Sequence, residues 1–187
     1  MSLFEFLMVL VSIIIGLGIA EILTGIARQV RCRGSVHGYW VHSALATGIF
    51  FALLQQWWEI WGLRVVPEWT FHGLVMMLTG PVGLFLVAHL LFPEPMQGAN
   101  LREYYHGVMR PIWWLAAVTV VLATIFRPLI FGSNLFSPDN ATSFLLFFGF
   151  IALAISRRAV LHAILVPVIL LLVLLDIFQW NFVIGSR

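Results

Sequence analysis

The chain has 187 residues, 61% of them hydrophobic and only 10% charged, with a mean hydropathy of +1.02 and a net charge of +2. A water-soluble domain needs roughly 25% charged residues to cover its surface, so this composition excludes one and points to a polytopic membrane protein. All ten basic residues are arginines gathered at the ends of apolar runs, not on one basic face, so no nucleic-acid partner is expected. The single cysteine, Cys32, excludes an internal disulfide and a cysteine-based zinc site.

The first apolar run is residues 3–27, interrupted only by Glu5 and Glu21. About 20 apolar residues in helical form cross a hydrocarbon core about 30 Å thick, so this run can span a bilayer. Glu5, the lack of a basic leader and the absence of a small-residue cleavage site make it a retained span. It carries Ser12, Gly16, Ala20 and Thr24 at every fourth position, a small-residue face on which a second helix can come close. That ladder is the expected self-association face of a homo-oligomer. On another face of the same helix lie Gly18, Glu21, Gly25 and Arg28.

Further spans follow at about 39–61, 71–92, 112–131, 141–155 and 160–184. Gly80-Pro81 sits mid-way along the third and Pro167 in the sixth, each proline removing a backbone donor. Between the third and fourth, LREYYHGVMR (101–110) reads as a short interfacial helix. The fold class is therefore all-α, one compact bundle of six transmembrane helices in a single domain with a possible 3+3 inverted topology. Arginine counting sets its orientation. Arg28, Arg31, Arg33, Arg102, Arg110, Arg157 and Arg158 fall on one side; Arg64, Arg127 and Arg187 fall on the other. The positive-inside rule puts the first set in the cytoplasm and both termini outside an inner membrane of bacterial type. Aromatic belts agree: Trp57, Trp58, Trp61, Trp69 and Trp180 at one interface, Tyr39, Trp40, Tyr104, Tyr105, Trp113 and Trp114 at the other.

Ionisable groups inside spans are costly and mark candidate sites. Glu21, His42 and His89 lie toward the arginine side; Gln55, Gln56, Glu59, Asp176 and Gln179 lie toward the other. At 100° per residue, His42, Gln56 and Glu59 share a stripe with Leu45, Ile49 and Ala52, and His162, Asp176 and Gln179 share another. One reading is a hydrated path for an ion or proton, lined by the first, second and sixth spans, with Glu21, His42, His89, Gln56, Asp176 and Gln179 as its stations. The plainer reading is interhelical pairing, Glu21 with Arg28 or His42 and Asp176 with Arg127 or Gln55. Glu59, in the aromatic string QQWWEIWG, reads as part of an interfacial anchor.

His42 and His89 sit at similar depth on different spans, so they are also the candidate axial pair for a haem, or metal ligands together with Glu21. No H-x-x-H or H-E-x-x-H spacing accompanies them. His37, His72, His106 and His162 read as wet interfacial residues. No G-x-S-x-G elbow or P-loop is present, which weighs against an enzyme. The leading expectation is a small inner-membrane channel or transporter embedded in the lipid bilayer. The alternatives are a redox, haem or metal module, and a structural or sensor subunit of a membrane complex.

Overall fold

The computed structural model describes residues 3–66, 68–132, 134–137 and 140–179; the side chains at 3, 127, 130, 131, 178 and 179, and everything from Trp180 on, lie outside the described residues. Among these, the chain forms six α-helices: α1 (Leu3–Arg31), α2 (Trp40–Trp61), α3 (Phe71–Leu91), α4 (Leu101–Phe131), α5 (Ala141–Ile155) and α6 (Ala159–Gln179). A short 3₁₀ turn, Gly62–Val65, follows α2. The boundaries have local causes. Thr70 caps α3 by accepting from the Gly73 N–H at 3.1 Å, and Pro93 stops it beyond Phe92. Gly132, at φ +62°, ends α4 in a left-handed cap that returns its N–H to Pro128 O at 2.9 Å.

The largest departure from the sequence reading is α4. Residues 101–110 are not a separate interfacial helix; they are the first turns of one 31-residue helix that runs through Pro111. Asn100 starts it by accepting from Arg102 N–H and donating to Glu103, at 3.1 and 2.9 Å. Pro111 lies inside that helix and withholds one backbone donor from its ladder.

Helices α2, α3, α4, α5 and α6 pack in a closed ring, each against the next and α6 back against α2. Helix α1 stands outside this ring, against α2 and most extensively α3. The seam between α1 and α3 is parallel and in constant register. Gly18 meets Phe85, Glu21 meets His89, Gly25 meets Phe92 and Arg28 meets Glu94. Gly25 is indispensable there, because a Cβ on it would fall inside the Phe92 ring. On the opposite side of the ring α2 and α6 also run parallel, with Gly48 against Leu170 and Gln55 against Asp176.

One apolar core runs through all six helices, from Val11 and Ile22 to Leu153 and Val166. Four helices, α1, α3, α4 and α6, are long and apolar enough to cross a membrane. The C-terminal half of α2 is rich in Gln, Trp and Glu, and the 15 residues of α5 reach only about 22 Å at 1.5 Å each. The two halves of the chain pair differently: α1 packs chiefly on α3, whereas α4 packs on α5.

Candidate functional site

The ring encloses a partly open cavity of about 230 Å³ lined by all five of its helices. Its walls are segregated by chemistry. Leu45, Ile49, Val87, Ile112, Trp113 and Phe150 line the apolar part, with the Trp113 and Phe150 rings stacked at 5.5 Å. Gln55, Gln56, Glu59 and Asp176 line the other, joined by Asn140, Thr142 and Ser143 from the start of α5. Space for Gln56 comes from Gly80, beside Pro81: its amide occupies the position where a Cβ would stand. On α4, Thr119 and Thr124 return their hydroxyls to their own helix, at Leu115 O (2.8 Å) and Val120 O (2.6 Å).

The Gln55 side-chain amide organises the polar end. Its Nε2 donates to Glu59 Oε1 at 3.0 Å and to Asp176 Oδ2. Two carboxylate oxygens held by one nitrogen are no more than about 6 Å apart. Like charges that close repel in a partly buried site, and a positive charge between them relieves the repulsion. The expected pairing of Asp176 with Gln55 is therefore present. Glu59, expected as part of an interfacial anchor, lines the cavity; of its neighbours, Trp57 Nε1 donates to Ser12 Oγ at 3.0 Å and Arg64 lies over the Trp61 ring.

The remaining expected stations do not join this site. Glu21 meets neither Arg28 nor His42; its Oε1 lies 3.3 Å from His89 Nδ1 on the α1–α3 seam. Helix α1 contributes nothing to the cavity wall, because its polar face is consumed by close contact with α3. That corrects the expected path through the first span. His42 is fully buried, and its Nε2 donates to Leu91 O at 2.9 Å with the ring edge-on to Phe92. His42 and His89 are thus each engaged by a different neighbour. Among the described residues, no group of three or more His, Cys, Asp or Glu converges as a metal-ligand set. Gln179, the last expected station, has its side chain outside the described residues, as has Arg127, the other expected partner of Asp176.

A second polar cluster, at the arginine-rich end, was not anticipated. His162 and Tyr105, read from sequence as wet or belt residues, are both fully buried. His162 Nε2 must donate to Ser156 O (2.9 Å), since a carbonyl only accepts; in the neutral ring Nδ1 then accepts from the Tyr105 hydroxyl at 2.7 Å. His106 and Tyr39 close over this pair, with ring centroids 5.8 Å from His162 and 5.5 Å from Tyr105. Trp113, also expected in the belt, is buried as well. By contrast Trp40 and Trp114 are exposed, as a belt requires.

At the same end, Glu94 accepts from Arg28, and that hydrogen bond and charge hold its carboxyl below the usual carboxylate range. The ladder Ser12, Gly16, Ala20 and Thr24 is exposed along α1, with open space over Gly16, though Ser12 also accepts from Trp57 of α2. Compared with protein families, with characterised proteins and with solved structures, the chain shows no match.

Proposed function

We propose that this chain is a small transporter or channel of a bacterial-type cytoplasmic membrane, carrying a cation or proton by way of the cavity inside its helix ring. The polar station is Asp176 with Glu59, Gln55 and Gln56; Glu21 and His89 are a packing pair outside it. The observation that carries this reading is a pair of carboxylates on one amide at the polar end of an otherwise apolar cavity. Nothing about packing alone calls for that arrangement, since interhelical polar contacts contribute only about 0.6 kcal/mol on average.

In this reading all six helices lie in the bilayer, with α5 and the tryptophan-rich end of α2 reaching only its interface. The arginine-rich loops face the cytoplasm and both termini face outside. The exposed ladder on α1 joins copies of the chain into a homo-oligomer, each copy keeping its own ring.

The test is flux of protons and of alkali cations into liposomes containing the purified protein. Asp176→Asn is expected to lower flux at least about tenfold, and Glu21→Gln to leave it unchanged. Flux in Asp176→Asn equal to that of the unaltered protein would sink the reading.

A further inference from the structure

We infer that the cavity is a binding site for a small amphipathic organic cation, an ammonium carrying an apolar ring. This deepens the proposed transport function and rests on it for the site's purpose, though not for its occupancy. Three features of the cavity point to such a ligand.

The first is size. At about 30 Å³ per water, 230 Å³ is room for about seven waters, far more than one dehydrated metal ion or a single proton carrier needs. It is instead the room a single-ring amine occupies. The second is the distribution of charge. Asp176 and Glu59, held close by Gln55, put two carboxylates at one end, where an ammonium beside them would find acceptors. Gln55 directs its amide nitrogen to both carboxylates, and its carbonyl oxygen can only accept. The third is the apolar end. Ile49, Val87 and Phe150, with Trp113 stacked behind Phe150, line an apolar wall for a ligand's body. Apolar walls with a few convergent polar groups are the usual make-up of a small-molecule site. An inorganic cation would gain nothing from this wall, and an anion would be repelled at the other end.

The experiment measures binding of phenethylammonium to the purified full-length protein by calorimetry, beside three comparators: phenethyl alcohol, which lacks the charge, ethylammonium, which lacks the ring, and phenylacetate, which reverses the charge. Phenethylammonium is expected to bind saturably, and each comparator at least about tenfold more weakly. Asp176→Asn is expected to erase the preference for the ammonium over the alcohol. Glu59→Gln should reduce that preference and serves as a second reading where Asp176→Asn fails to fold by circular dichroism. No saturable binding of phenethylammonium, or equal binding of the alcohol or of ethylammonium, overturns the inference. The two proposals fail separately. Proton or alkali-cation flux that depends on Asp176, with no ammonium binding, leaves the transport reading and removes this one. Ammonium binding without flux of protons, alkali cations or phenethylammonium does the reverse.

Discussion

The α1–α3 seam and the interior of the five-helix ring use the same vocabulary of glycines, carboxylates and aromatic rings to opposite ends. In the seam, every small residue is filled by a ring or a chain from its neighbour, and each charged group meets an opposite or hydrogen-bonding one in turn. In the ring, Gly80 and Gly83 let Gln56 and Thr119 in close, yet the space beyond them stays open and two carboxylates share one amide. A buried-looking acidic residue is therefore no guide to function by itself. Glu21 and Asp176 look alike in the sequence, and only the arrangement of their neighbours separates a residue packed into a seam from one that lines a cavity.

The sharpest way to break this comparison is to overfill the seam. Gly25→Val should push into the Phe92 ring, which is itself wedged against His42, so little can yield. Overpacking of this sort costs about 1–3 kcal/mol and more where neighbours are fixed. The expected outcome is a large fall in the thermal unfolding temperature in detergent; an unchanged value would show that the seam is looser than described. Gly16→Leu, on the free side of the same helix, should leave the fold of each copy unaltered and reduce the native mass of the oligomer, read by light scattering. An unchanged mass removes the ladder as the contact between copies.

The smallest effect concerns the Arg28–Glu94 contact that closes the seam. Glu94 has a lower carboxyl pKa in the folded chain than in the unfolded one. Its contribution to stability is therefore present in full above the unfolded value and lost as pH falls through the folded value, below the usual carboxylate range. Glu94 is fully exposed, so the expected acid-side change is slight and weakens with salt. Unfolding temperatures of the protein and of Glu94→Gln should converge as the pH is lowered. A difference that persists in strong acid would mean the contact acts through something other than charge.

Much of this was legible in the chain itself. Helical angle alone placed Gly18, Glu21, Gly25 and Arg28 on one face, and they do share one. The same angle put His42, Leu45, Ile49, Ala52, Gln56 and Glu59 on one stripe, and all of these but His42 line the cavity; the cost argument singled out Glu21 and Asp176 alike, and only Asp176 lies there. Partners were harder, because the register of one helix against another is set by side-chain volume across the interface and has no period within either helix. Glu21 accordingly went to His89 instead of His42 or Arg28.

One misreading caused another. With 101–110 taken as a separate segment, Tyr105 had no reason to reach the bundle, and His162 looked exposed at the start of α6. Once α4 is a single rod starting at Leu101, Tyr105 stands over His162 and both are buried. The polar composition of 101–110 had suggested a break before the fourth span, yet the helix runs on through Pro111.

The stitch between His37 and the 98–101 strip has a mechanical corollary. His37 N–H bonds to Ala99 O and Leu101 N–H to His37 O, both at 3.0 Å, while Tyr104 donates to Leu90 O and His162 clasps Ser156. The rods are bound together along one margin, like pages at a spine. Among the amides near the helix ends, the slowest to exchange should be those of His37 and Leu101.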